Sequence, residues 1–290
     1  MAVPRESGLM GRADLHTHTT ASDGLLTPEQ LLEAAWRGGL GAIAITDHDT
    51  VEGVQEALAI GSPGLLVVMG VELSCVLAGV EIHVLGYGFD PTAVGLRTLL
   101  DERAGERRTR AAAIVERLVA LGVPVSMGRI AELAGSGTIG RPHVARALVE
   151  AGHASSVGDA FDRFLGAGQP AYVERQELAP QWAIAVIHAA GGAAVLAHPL
   201  YSPGYADFLP DLVDAGLDGI EVVYPDHPPA IRRYLSSLAA RYGLVETGGT
   251  DFHGDFGRAG KGLGETTVAV DVVGQLLLRA SRRQEAGSGS

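Results

Sequence analysis

The chain is short of cysteine, lysine, aromatic residues and long apolar runs, and each shortage removes a class of answer. Cys75 is the only cysteine in 290 residues, which excludes an intramolecular disulfide and a zinc site built on thiolates. Lysine occurs once, as Lys261. An amidohydrolase that bridges its metals through a carbamylated lysine would have only that residue, and it lies beyond the last motif. Aromatic residues make up 5% of the chain and the formal net charge is −12. An acidic, aromatic-poor surface argues against a basic groove with stacking platforms, and so against duplex DNA as a partner. No run approaches the roughly 18 apolar residues of a membrane span, and Met1 to Gly11 lacks the apolar centre of a signal peptide. The expectation is a soluble cytoplasmic protein with no membrane partner.

What is present is glycine and small aliphatic residues. The 40 glycines are about twice the usual share and fall at turns, as many short strand–helix connections require. Short apolar runs ending in polar residues alternate with helical stretches, the rhythm of parallel βα units. Strands are expected at Ala13 to Thr17, Gly41 to Thr46, Leu65 to Met69 (ending in Gly70-Val71-Glu72), Glu81 to Tyr87, Ala193 to Ala197, Gly219 to Tyr224, Leu244 to Thr247 and Gly264 to Val270. Thr27-Pro28-Glu29-Gln30 has the form of a capping box with proline in the first turn. Trp36, in the helix that follows, is expected to pack in the core.

From 91 to 176 the rhythm changes to helices with no convincing strand between them. This stretch is expected to be a helical insertion, with the barrel formed by 12–90 and 177–283 and with 284–290 a disordered tail. The arginines between Arg103 and Arg110 are expected to form a solvated helix face paired with Glu at i,i+4. Gly140-Arg141-Pro142-His143 sets Arg and His at a helix start, where free N–H groups and a guanidinium fork suit phosphate. An ordinary cap, with Arg141 on a surface carboxylate, is the competing reading.

The chemistry is carried by Asp14-Leu15-His16-Thr17-His18. Residues two apart on a strand point the same way, so His16 and His18 present two imidazoles together. Asp23, His48, Glu72, His83, His198, Asp251 and His253 add further imidazoles and carboxylates at or near strand ends, the face where such barrels collect chemistry. These are the usual donors for Zn, Mn or Fe. Nine donors are too many for one ion and suit three if Glu72 bridges. The remaining histidines are read as packing (His188), a surface turn (His153) and a loop residue (His227), with Cys75 a small packed residue.

Asp14 to His18, Asp23-Gly24, Thr46-Asp47-His48-Asp49, Gly70-Val71-Glu72, Ala197-His198-Pro199 and Thr250-Asp251-Phe252-His253 together resemble the polymerase and histidinol phosphatase (PHP) family. The motifs occur in family order from about Arg12 to Gly264. Gly140-Arg141-Pro142-His143 inside an insertion resembles the branch that hydrolyses nucleoside 3′,5′-bisphosphates and trims RNA from its 5′ end. The resemblance implies an α/β fold, a distorted (β/α)7 barrel that is TIM-like, with three divalent ions (Mn, Fe or Zn). It groups His16, His18, Glu72 and Asp251 on one ion; Glu72, His83 and His198 on a second; Asp23, His48 and His253 on a third. Some members carry His where this chain has Asp23, which leaves metal preference open.

The implied activity is that of a metal-dependent phosphoesterase, with a water bridging two ions as nucleophile. Arg141 and His143 would bind the substrate phosphate, His143 orienting it or protonating the leaving group. Asp251, Arg141 and His143 are the expected catalytic residues. The expected substrate is a phosphorylated mononucleotide such as a 3′,5′-bisphosphate, or the terminal nucleotide of short RNA. A phosphatase for a small metabolite such as histidinol phosphate, and a non-catalytic scaffold, are the alternatives.

Overall fold

The computed structural model describes residues 11–254 and 261–287. Eight strands form one sheet: β1 (Arg12–Thr17), β2 (Ala42–Ile45), β3 (Leu66–Leu77), β4 (Val80–Tyr87), β5 (Ala193–Leu196), β6 (Gly219–Val223), β7 (Val245–Gly248) and β8 (Val268–Ala269). They lie in the order β7-β6-β5-β4-β3-β2-β1-β8. The sheet curls until the segment after β7 meets β1: Thr17 bridges Phe252 in parallel, and the His18 N–H donates to the Phe252 carbonyl at 2.9 Å. The result is a nearly closed α/β barrel of β1 to β7, with the two-residue β8 antiparallel along the outside of β1.

The interior is narrow because its residues are small. Ala13, Ala42, Ala44, Ala193, Val195 and Ala197 meet inside with Leu15, Val68 and Leu85. The helix α10 (Asp271–Gly287) closes one end with Val272, Val273, Leu276 and Ala280. It continues through 284–287, where a tail was expected; 288–290 and the first ten residues lie outside the described residues. The alternate residues of the strands, such as Ile43, Ile45, Leu73, Ile82 and Val84, pack outward. They meet α1 (Pro28–Arg37), α2 (Glu52–Ile60), α7 (Pro180–Ala189), α8 (Tyr205–Asp214) and α9 (Pro229–Tyr242).

Two elements depart from a uniform βα rhythm. Glu72 does not end its strand: β3 runs twelve residues, turns at Ala78-Gly79 and pairs antiparallel with all of β4. A two-residue turn with positive φ at both positions (50° and 79°) is the connection that matches strand twist. β4 is therefore antiparallel to both neighbours, and the hairpin projects beyond the barrel mouth. Between β4 and α7 the chain forms α3 (Val94–Ala120), α4 (Met127–Ala134), α5 (Arg141–Glu150), α6 (Val157–Ala160) and a π-helical turn, Phe161–Leu165, packed around Ile114, Leu118, Ile130, Val144 and Leu148.

Two side-chain expectations fail. Trp36 is 59% exposed, because the buried stripe of α1 is Pro28, Leu31, Leu32 and Ala35 and position 36 falls outside it. The arginines of α3 are only in part a solvated face: Arg108 is exposed, but Arg103, Arg107 and Arg110 are buried, since their face of the helix is covered by the projecting hairpin and by the 172–176 segment. The capping box at Thr27 and Gln30 forms as expected.

Candidate metal centre

All nine metal-donor candidates meet at the mouth of the barrel. β1 delivers His16 and His18, both fully buried. The chain after β7 can approach them only because residue 249 is glycine; a Cβ there would sit 2.5 Å from the His16 nitrogen. Asp47 fixes the loop that carries Asp23, accepting the Thr19 N–H at 2.7 Å, the Thr19 hydroxyl at 2.7 Å and the Ser22 hydroxyl at 2.6 Å. His48, beyond β2, is paired in parallel with Glu72. His83 comes from β4, His198 from just after β5, and Asp251 and His253 from the segment after β7. Asp49, His198 and Asp251 all have positive φ (52°, 23° and 53°), a costly conformation for residues with a side chain, found where the surroundings impose it.

Glu72 is the hub. His83 Nδ1 and His198 Nε2 lie 2.7 and 3.0 Å from its Oε1. His16 Nε2, His18 Nε2 and His48 Nδ1 lie 3.2, 3.2 and 3.1 Å from its Oε2. Asp251 Oδ1 is 3.4 Å from His16 and 3.2 Å from His18, and Asp23 Oδ1 is 3.3 Å from His253. Three sets have donor atoms within 4.8 Å of one another: His16, His18, Glu72 and Asp251; His18, Asp23, His48 and His253; and His48, Glu72 and His83. The first matches the expected grouping, the second adds His18, and the third has His48 where His198 was expected.

The donors fit cations. Nδ1 of His18 and Nδ1 of His198 are buried without a hydrogen-bond partner, and Nε2 of His18, Nδ1 of His48 and Oδ1 of Asp23 have only the close contacts given above, not aligned as hydrogen bonds, a costly state for polar atoms unless something coordinates them. Charge is arranged to the same end. Burial opposes ionisation of Glu72, Asp23 and Asp251, yet the surrounding histidines outweigh it and hold all three well below the usual carboxylate range. Burial likewise opposes charge on His18, but Asp251 and Glu72 outweigh it and lift its pKa to about 10. His48 goes the other way, to about 3, because burial dominates.

The residues that hold these donors from behind carry no sequence motif. Glu221, on β6, faces His16 Nδ1 at 3.2 Å and accepts the His198 N–H at 2.8 Å. Tyr224 donates to Asp251 Oδ2 at 2.8 Å, and Lys261 reaches the same tyrosine oxygen at 2.8 Å and Asp251 at 3.3 Å. Lys261 thus returns to the site that its sequence position had kept it from.

Arg141 and His143 stand at the start of α5. Arg141 Nη2 contacts both oxygens of Glu81, at 3.2 and 3.0 Å. The His143 Nδ1 accepts the Gly140 N–H at 3.0 Å, and burial lowers the pKa of this ring. A neutral imidazole accepting at Nδ1 carries its proton on Nε2. The other histidines lie apart in role: His188 binds Asp218 at 3.0 Å, His227 Nδ1 donates to the Val222 carbonyl at 3.0 Å, and His153 Nε2 donates to the Pro124 carbonyl at 3.2 Å. Cys75 is buried.

Barrel and donor set define the class: a metal-dependent hydrolase on a distorted α/β barrel. Comparison with known proteins narrows it. The PHP domain model matches residues 14–121. The 5′-3′ exoribonuclease Rnm of Salmonella typhimurium is 39% identical over 247 residues, covering 83% of this chain and 84% of that one. A phosphoribosyl 1,2-cyclic phosphate 1,2-diphosphodiesterase of Eggerthella lenta is 38% identical, covering 84% and 95%. A 3′,5′-nucleoside bisphosphate phosphatase of Chromobacterium violaceum is 33% identical, covering 89% and 92%. Among solved structures, a protein of Bifidobacterium adolescentis described as a metal-dependent phosphoesterase superposes with a TM-score of 0.86 at 34% identity, covering 92% and 96%. The chain belongs to the PHP family of metal-dependent phosphoesterases. Among the described residues no helix is long and apolar enough to cross a membrane.

Proposed function

We propose that this phosphoesterase acts on nucleotides that carry a terminal phosphate: nucleoside 3′,5′-bisphosphates, and the 5′-terminal nucleotides of short RNA. The observation that carries the reading is Glu72 with five imidazoles on its two oxygens and arginines one strand step beyond it. Relatives named for RNA ends and for bisphosphates support the substrate class. The separation into a barrel (12–90 and 177–283) and a helical insertion (91–176) belongs to the same proposal, in which the insertion would present Arg141 and His143 to the substrate phosphate.

Three divalent cations, Mn, Fe or Zn, fit the donor sets. His16, His18, Glu72 and Asp251 would hold one; Glu72 and His83, with His198 and His48 in reach, a second; Asp23, His48 and His253 a third. Such cations supply Lewis acidity and a water of lowered pKa. The protein's own groups do the rest. Arg141 gives a planar fork to phosphoryl oxygens. His143, neutral with its proton on Nε2, donates a hydrogen bond to the ester oxygen; burial makes it an orienting donor in preference to a general acid. Tyr224 and Lys261 hold one oxygen of Asp251 and leave the other facing His16 and His18.

The test is a side-by-side assay of protein reconstituted with Mn, Fe or Zn on adenosine 3′,5′-bisphosphate, 5′-phosphorylated tetraribonucleotide and histidinol phosphate. Turnover of either nucleotide substrate at least about tenfold above histidinol phosphate supports the reading. Preference for histidinol phosphate, or no turnover of the nucleotides, overturns it.

A further inference from the structure

After His198 the chain turns through a short 3-10 helix, Pro199–Tyr201, with proline in its first turn. The turn brings Tyr201 back over the imidazole it follows: the two ring centres are 5.6 Å apart and the planes cross at 78°. Tyr224, fully buried, lies 5.9 Å from the Tyr201 ring at 83° and 5.6 Å from the His198 ring at 62°. These three rings form a wall along one side of the donor cluster. Tyr201 is its outer member and is 50% exposed.

This exposed ring is held firmly. The Tyr201 N–H donates to the His198 carbonyl at 3.0 Å, and its hydroxyl donates to Asp226 Oδ2 at 2.5 Å. The next residue, Ser202, donates its hydroxyl to the Glu81 carbonyl at 3.0 Å. The segment that carries Asp226 is tied in turn by Arg232, whose Nε and Nη2 donate to the His227 and Tyr224 carbonyls at 2.9 Å each. A ring fixed at its root and its tip has given up its side-chain freedom before anything binds, which is what makes an aromatic group an efficient anchor. The other exposed aromatic side chains among the described residues, Trp36, Trp182 and Tyr234, lie on the outer helices α1, α7 and α9.

Charge decides what such a face can take. Asp226 is exposed and sets a carboxylate at the phenol tip, and the π face of the ring is itself electron-rich. Both repel a phosphate. A neutral planar ring meets no such penalty and gains contact area by stacking. We infer that Tyr201 is the platform on which the base of the nucleotide stacks while its phosphate faces the donor cluster. The inference rests on the nucleotide reading above and adds how the base is held. With the His198 ring 5.6 Å inward of Tyr201, base, ribose and phosphate follow in that order from the rim to the donors. Stacking uses the π face that every base presents, so this platform tolerates any base. One platform serves one base, in keeping with an acidic, aromatic-poor chain that acts on a terminal nucleotide and not along a strand.

The experiment uses the metal-loaded protein with Tyr201→Ala, Tyr201→Phe and Tyr201→Trp, each checked for metal content and melting temperature. KM and kcat are measured on adenosine and uridine 3′,5′-bisphosphates and on 1,4-anhydroribitol 3,5-bisphosphate, the same sugar without a base. A stacked base is worth about 1–3 kcal/mol, or about five- to a hundredfold. Tyr201→Ala should therefore raise KM for both nucleotides by about that factor, and move the base-free compound by less than about twofold. The change should fall on KM and not on kcat. Tyr201→Phe and Tyr201→Trp keep a ring and should hold the nucleotide KM within about threefold. If the alanine variant melts lower, Tyr201→Leu takes its place, since leucine fills space without a stacking face. Unchanged nucleotide KM, an equal change for the base-free compound, or a loss in Tyr201→Phe as large as in Tyr201→Ala overturns the inference. Calorimetric binding of adenosine 5′-monophosphate and of ribose 5-phosphate repeats the comparison without turnover. If wild type hydrolyses no nucleotide, the proposed function fails, while the binding series still decides the platform. An advantage of the base-bearing ligand that Tyr201→Ala abolishes sustains it; no advantage, or one that survives the substitution, removes it.

Discussion

His16 and Glu221, 205 residues apart in sequence, meet at 3.2 Å through Nδ1 and Oε1. The other oxygen of the same carboxylate takes the backbone N–H of His198, so one buried acid orients two imidazole-bearing segments. Outer carboxylates of this kind set the tautomer and basicity of a donor histidine and are worth 10–100-fold in metal affinity or activity, on the order of what is expected here. Glu221→Gln should weaken metal binding by about that factor in a competition titration. Unchanged affinity would show that Glu221 only fills space.

Asp251 has both His16 and His18 within 3.4 Å on one oxygen and Tyr224 and Lys261 on the other. Asp251→Ala should cost about a thousandfold or more in turnover, since removing Lewis-acid stabilisation forfeits several kcal/mol. Circular dichroism should report an intact fold. Full activity in this variant would remove Asp251 from the mechanism.

Cations held by Asp23, Glu72 and Asp251, as proposed, would bind the folded chain and not the unfolded one. Treatment with a chelator should therefore abolish activity and lower the melting temperature. Returning manganese at about a hundred times its Kd adds about 2.7 kcal/mol, or roughly 5 °C or more for a chain of this size. Scanning calorimetry with and without metal checks this, and an unchanged transition would mean that the folded protein holds no ion at these carboxylates.

Away from the site, Asp218 ties α7 and α10 to the sheet, through His188 at 3.0 Å, the Ala194 N–H at 2.9 Å and Arg283 at 2.5 Å. Burial pushes its pKa up, but these partners outweigh burial and hold it below the usual value. A lowered folded pKa contributes stability that is present above the unfolded value, about 3.9, and is lost as pH falls through the folded value. Asp218→Asn should cost about 1–3 kcal/mol at pH 7. Denaturant melts at pH 7 and pH 3 should show that gap shrinking in acid; a constant gap would assign the effect to shape and not charge.

The legible parts of this protein were the local ones. His16 and His18 can be paired from the two-residue period of a strand, and Thr27 to Gln30 can be read as a cap, because each depends on neighbours in sequence. Glu221, Glu81 and Lys261 carry no such mark: each gains its role from a partner dozens to hundreds of residues away. The arginines of α3 were misread for the same reason. A charged helix face looks solvated until a hairpin is laid across it, and Glu72 looked like a strand end because the next residues gave no sign of an antiparallel return.

The sequence by itself determined the donor types, their order and their places near strand ends, since alternation along a strand is a property of the chain alone. Only the tertiary structure decided that five imidazoles share Glu72, that Glu221 and Lys261 support the cluster, and that the half-buried Arg141 and Arg175 face Glu81. Those relations arise when the sheet curls and the β3–β4 hairpin meets the helices, and burial then turns ordinary side chains into strongly interacting ones.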